Sequence, residues 1–189
     1  MLCLITGGSG SGKSEYGESV ALKLYEKSKN RGKLYYVATM IPMDSESLKR
    51  IERHREMRKD KGFCTVECFC EIEKLKFNKN DTVIIECMSN LIANEMYSKE
   101  GRIKGDDIIE KAESAVVSDV KSISEQAGNV VIITNEVFSD CNCYDEESIK
   151  YLNIMGYVNR RIVEISQYAV EVVCGIPVKI KEIEGGCNV

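Results

Sequence analysis

Residues 7–14 read GGSGSGKS and match the pattern G-x-x-x-x-G-K-[ST] throughout, between an apolar run at Met1–Thr6 and a run with helical spacing. A strand before and a helix after is the context that makes this pattern a phosphate-binding loop. Gly7, Gly8, Gly10 and Gly12 let the backbone take positive φ and aim its N–H groups inward at a helix N-terminus. Ser9 and Ser11 belong to the same nucleotide-contacting loop, Lys13 reaches the β- and γ-phosphates, and Ser14 can ligate Mg²⁺. The bland alternative, a flexible Gly/Ser turn, needs neither flank.

The chain has 189 residues, 43% hydrophobic and 30% charged, which supports one well-buried core and one domain spanning 1–189. A net charge of -4 and a pI near 5.3 argue against general nucleic-acid binding, so phosphate affinity must be local. No run of 18 apolar residues and no signal-peptide pattern is present, and a cytoplasmic protein without a membrane span is expected. Nine cysteines in such a compartment are expected as thiols. Neither Cys64, Cys68 and Cys70 nor Cys141 and Cys143 have zinc-knuckle spacing, and small apolar packing is their expected role.

Along the chain, Tyr16, Val20 and Leu24 recur at helical spacing, and the run dies at 29–32. Lys33–Thr39 then reads as a second strand, which makes strand, helix, strand, the grammar of a parallel sheet. Ser45–Lys61 predicts a charged, exposed helix. Residues 81–87, DTVIIEC, form a near-continuous apolar strand ending in Glu86, an acid placed where a Mg²⁺ or water contact sits in such folds. Asp107–Ala127 predicts one long amphipathic helix, and 129–136 a strand whose last residues, Thr134, Asn135 and Glu136, turn polar at the ligand end. Leu152, Met155, Val158, Ile162, Ile165 and Ala169 predict a last helix, followed by closing strands at 171–175 and 177–183.

The stretch RIERHREMRKDKG holds the chain's single histidine, His54. Arg50, His54 and Arg58 share one helix face, with Lys61 a turn further on. Seven basic residues fall within 49–61 of an acidic protein. Two readings stand: a solvated helix laced with i,i+4 ion pairs, or a phosphate-facing helix whose imidazole attacks phosphorus while arginines neutralise the transferring group.

The whole pattern resembles the bifunctional adenosylcobinamide kinase/adenosylcobinamide-phosphate guanylyltransferase family of cobalamin biosynthesis. It rests on TGGSGSGKS, YYVAT, R-I-x-x-H at 50–54, TVE at 65–67, IIEC at 84–87, TNEV at 134–137, GYVNRR at 156–161 and the terminal GIPVKIK. The resemblance implies a P-loop, RecA-like α/β fold with a mostly parallel sheet, assembled as a trimer. It implies that ATP or GTP phosphorylates adenosylcobinamide, that His54 accepts GMP from GTP, and that GMP passes to adenosylcobinamide phosphate. It places Ala38, Thr39, Met40, Arg55, Glu56, Met57, Arg58, Glu67 and Glu86 at guanine-nucleotide contacts, beside the catalytic pair His54 and Lys13; Ser14 and Glu86 are the expected metal positions. Two departures are visible: FSDCNCYDEES replaces a glycine-rich segment after TNEV, and Phe63 stands where tryptophan is common. A P-loop kinase of another metabolite and a nucleotide-binding regulator are the competing readings.

Overall fold

The apolar runs pair into one seven-stranded sheet, ordered β3-β2-β4-β5-β1-β6-β7, in a computed structural model that describes residues 1–29, 31–139 and 144–183. The strands are β1 (Leu2–Thr6), β2 (Leu34–Ala38), β3 (Cys64–Glu67), β4 (Thr82–Ile85), β5 (Asn129–Ile133), β6 (Tyr168–Val173) and β7 (Ile176–Glu182). The first six run parallel, and β7 returns antiparallel along β6. Parallel strands need both faces covered, which is why β4 reads as unbroken Val and Ile rather than as an alternation.

Side-chain alternation divides the interior into two layers. On one face Cys3, Ile5, Ile84, Val131 and Ile133 pack under Val20, Ala21 and Leu24 of helix α1 (Lys13–Lys27). On the other, Leu2, Leu4, Val83, Ile85, Val130 and Ile132 meet helices α3 (Met88–Tyr97), α5 (Ser118–Gln126) and α6 (Glu146–Ile165). Four α6 side chains, Ile154, Met155, Val158 and Ile162, are wholly buried. At ~1.5–3 kcal/mol for each such side chain, this face holds the long helix to the sheet. Helix α2 (Ser45–Arg58) stays at the surface, as its charge pattern requires, and starts with a reciprocal Asp44–Ser47 cap.

Three readings need correction. The long helix at 107–127 is interrupted: α4 (Ile108–Ala112) passes through a π-helical turn at Glu113–Val117 before α5. The last helix stops at Ile165, and Ala169 lies in β6, paired with Leu4. Its apolar spacing from the helix is coincidental, because Ser166 takes extended backbone and the β-branched run that follows joins the sheet. Cys64 is exposed rather than packed, whereas Cys68 does pack against the α6-face core. Cys141 and Cys143 lie outside the described residues, as do all of 140–143 in the altered stretch.

The π turn has a local use. It directs the Ala115 carbonyl at Arg102, whose guanidinium also meets Glu73 at 2.8 Å, Glu95 at 2.6 Å and Asp119 at 2.6 Å. Glu95 and Asp119 are buried, so this ion cluster ties the loop before α4 to α3 and α5. Burial, with the neighbouring Glu73 carboxyl, raises the Asp119 pKa to about 7. A raised folded-state value means that the proton stabilises the native chain at low pH and that this contribution is lost as pH climbs from about 4 through about 7. Asp119→Asn should therefore flatten the unfolding midpoint across that window in urea titrations; an unchanged pH profile would contradict the assignment.

Candidate active site

The loop leaves β1 at the carboxyl edge of the sheet, flanked by β5 and β6. Gly12 caps α1 in the left-handed region, φ 89°, with no side chain on the first-turn N–H groups. Those donors are thus available to an anion, at the positive end of the helix. The Glu136 N–H donates to the Gly7 carbonyl at 3.0 Å and the Gly175 N–H to the Ser11 carbonyl at 2.9 Å, so the loop is clamped from both neighbouring strands. A Cβ on Gly7 would stand 2.5 Å from the Val172 carbonyl oxygen, which no side chain can do. Ser9 and Gly10 are exposed, and Ser11 Oγ is buried without a partner. Lys13 folds back to donate to the Gly8 carbonyl at 3.0 Å. Burial, chiefly, and the Arg50 guanidinium draw its pKa below the ordinary lysine range, opposed by Cys87. The Ser14 hydroxyl, at the first turn of α1, has no partner among the described residues.

Helix α2 is fastened over the same sheet face as α1 by three residues of one stripe. His54 Nδ1 lies 2.9 Å from Glu86 Oε1, just past β4. The Arg58 guanidinium sits 3.6 Å above the Tyr36 ring on β2. Lys61 Nζ meets Glu18 Oε2 of α1 at 2.6 Å. A carboxylate can only accept, so a neutral imidazole beside Glu86 would carry its proton on Nδ1 and its lone pair on Nε2. Arg58 is 5% exposed, yet its Nε and one terminal nitrogen have no partner, an arrangement suited to an incoming anion or carbonyl. Tyr36 lies under Arg58 with its hydroxyl also unpartnered; burial, then the Glu86 charge, pushes its pKa well above the tyrosine range.

Between α2 and the edge of the sheet is a cavity of about 190 Å³, lined by Ala38, Met40, Ile51, His54, Arg58 and Glu86 among others. Arg55 and Glu67 border it as an ion pair. Seven of the expected nucleotide contacts therefore converge: Ala38, Met40, His54, Arg55, Arg58, Glu67 and Glu86. Three do not line the cavity. Thr39 is buried and donates to the Cys87 carbonyl at 2.9 Å, while Glu56 and Met57 face solvent. Phe63 packs edge-on against Tyr36 with ring centroids 5.7 Å apart, so the aromatic position supports the floor under Arg58. Tyr36 and Glu18 carry no linear signal of their roles; only the fold brings them to α2. Oxygen donors suit magnesium, and Ser14 is free to provide one. The Glu86 carboxylate is already engaged with the imidazole and would have to share or leave that contact to reach a metal.

The family model described as cobinamide kinase / cobinamide phosphate guanyltransferase matches residues 3–180. The chain belongs to that family. It is 29% identical to the bifunctional adenosylcobalamin biosynthesis protein CobU of Escherichia coli (strain K12) over 96% of this chain and 100% of the relative. The Salmonella typhimurium protein of the same name is 26% identical over the same shares. Among solved structures, the flagellar accessory protein FlaH of Methanocaldococcus jannaschii aligns with 96% of this chain and 78% of its own, at 13% identity and a TM-score of 0.43. Membership makes this chain a nucleotide-using transferase of cobalamin biosynthesis, with the kinase and guanyltransferase activities expected from its motifs.

Proposed function

We propose that the chain phosphorylates the aminopropanol hydroxyl of adenosylcobinamide with ATP or GTP, then moves GMP from GTP to adenosylcobinamide phosphate through a guanylyl group on His54. The observation that carries this reading is the 2.9 Å contact between His54 Nδ1 and Glu86 at the wall of a base-sized cavity. A solvated helix would have no reason to hold its imidazole against a carboxylate that is 8% exposed.

In the kinase step the loop N–H groups and Lys13 hold the triphosphate and neutralise the charge spread over the transferring group. In the transferase step His54 Nε2 attacks the α-phosphorus: the N–P bond forms, the bridging P–O bond breaks, and pyrophosphate departs with the electron pair. Glu86 holds Nδ1–H and offsets the positive charge developing on the ring. The adenosylcobinamide phosphate oxygen then attacks the same phosphorus, and the imidazole leaves. Ser14 and Glu86 are the residues that would hold magnesium, which would add positive charge at the phosphate oxygens.

Trimer assembly belongs to the same proposal. It is supported by β7, an edge strand on which Ile176, Val178 and Ile180 are all exposed at alternate positions. Such a face suits association with another chain. Sedimentation at a single chain's mass would exclude it. No helix among the described residues is long and apolar enough to cross a membrane, and a cytoplasmic location fits the nucleotide substrates.

The transferase half has a direct test. GTP labelled at the α-phosphate should leave acid-labile, base-stable label on the chain, and His54→Ala should carry none. No label on the native protein, or equal label on the variant, would remove the guanylyl-histidine.

A further inference from the structure

Arg58 ends α2 with its side chain buried, and it forms no ion pair among the described residues. A ring holds it instead. The guanidinium carbon stands 3.6 Å above the centroid of Tyr36, which is wholly buried on β2 between β3 and β4 and braced edge-on by Phe63. A contact with a ring face uses the charge of an arginine and spends none of its N–H donors. Nε and one terminal nitrogen are buried with no partner among the described residues. Buried donors without acceptors are costly, so this guanidinium is set to receive an acceptor from a ligand.

The cavity decides which acceptor. Arg58 lines the space of about 190 Å³ beside His54, together with Ala38, Met40 and Ile51, whose apolar surfaces suit the faces of a flat ring. Glu67 and Glu86 line the same space. Two carboxylates repel a phosphate group placed inside, whereas they accept from N–H donors. Glu86 is engaged with His54, and Glu67 meets Arg55 through one oxygen, which leaves it acceptor capacity. The walls therefore offer a cationic donor and a carboxylate acceptor to one planar group. Guanine matches both: it presents acceptors at O6 and N7 and donors at N1 and its 2-amino group. Adenine puts an amino donor beside N7 and has no 2-amino group.

We propose that Arg58 selects guanine over adenine in this cavity by donating to O6 and N7 of the base, and that Tyr36 is the positioning residue that holds the guanidinium for that contact. This rests on the reading that GTP is the nucleotide bound beside His54. A planar fork of donors is the natural reader of two adjacent acceptors, and adenine would set its own amino group against it. The role of Tyr36 follows from the same geometry. With no carboxylate fixing Arg58, the ring face alone sets the height and tilt of the fork.

The test is equilibrium binding of GTP and of 7-deaza-GTP, which differs from GTP in lacking the N7 acceptor. The native chain should bind GTP ~10–10²-fold more tightly, the effect of one hydrogen bond from a charged donor. Arg58→Met should bring the ratio to about one. Tyr36→Phe, which keeps the ring face, should retain the ratio, and Tyr36→Leu should lower it. A merely structural loss weakens both nucleotides alike and leaves the ratio unmoved. Equal binding of the two nucleotides by the native chain overturns the proposal with no variant needed. A native ratio in Arg58→Met overturns it as well, and a native ratio in Tyr36→Leu removes the role of Tyr36. Binding forms no bond to His54, so His54→Ala should show the native ratio. A native preference for GTP without label on His54 supports the base contact and refutes the histidine mechanism.

Discussion

Glu86→Gln is expected to slow guanylylation of His54 by ~10²–10⁴-fold while the ATP-dependent kinase step stays within a few-fold of native. The cause is local. Glu86 Oε1 lies 2.9 Å from Nδ1, and an amide there can turn its NH₂ toward the ring, donate to Nδ1 and drive the proton to Nε2. The nucleophilic lone pair would then point away from the phosphate. The amide also removes the charge that offsets the forming imidazolium. Label transfer from GTP measures the first activity and phosphate transfer from ATP the second. Equal loss of both would mean that Glu86 serves the nucleotide in general, through a metal or the fold, and does not orient the histidine.

Lys13→Ala should have the opposite emphasis. Its ammonium lies inside the loop, 9% exposed, donating to the Gly8 carbonyl until phosphate arrives. Removing it deletes the only cation that the loop itself supplies, and ATP-dependent phosphorylation of adenosylcobinamide should fall by ~10²–10³-fold at saturating nucleotide. Kinase turnover within a few-fold of native would show that the γ-phosphate is held elsewhere. Guanylylation should also weaken, since the same triphosphate is anchored there, but Arg58 remains on the His54 side.

Much of the frame can be read from the chain because its signals are local. The run from Met1 through Lys27 combines an unbroken apolar strand, a glycine loop and a 3.6-residue period, and each sets the next. Errors arose where local pattern and sheet context compete. Ala169 continues a helical spacing by chance, while the β-branched residues around it pair with β1. Helix α3 has only ten residues and passes unnoticed in the sequence, although Met88, Leu91 and Ile92 are fully buried under the sheet. The π turn at Glu113–Val117 is invisible because apolar residues continue through it, and the Arg102 cluster that its Ala115 carbonyl joins is built from residues up to 46 positions apart.

The site divides the same way. Loop residues are adjacent in the chain, so their roles follow from the motif. His54 and Glu86 meet only because the sheet order sets β4 next to β2, beneath α2. No spacing rule encodes that contact. The stripe of Arg50, His54, Arg58 and Lys61 is legible as a face, yet whether it met solvent or protein depended on Tyr36, Glu18 and Glu86, each contributed by a different element.

The central claim concerns one nitrogen, and the chain holds a single histidine with which to examine it. Protein carrying ¹⁵N in its imidazole, treated with GTP and examined by ³¹P–¹⁵N NMR, should show phosphorus bonded to Nε2 of His54, with Nδ1 still bearing its hydrogen. Phosphorus on Nδ1, or on no imidazole nitrogen while transferase turnover continues, would contradict it.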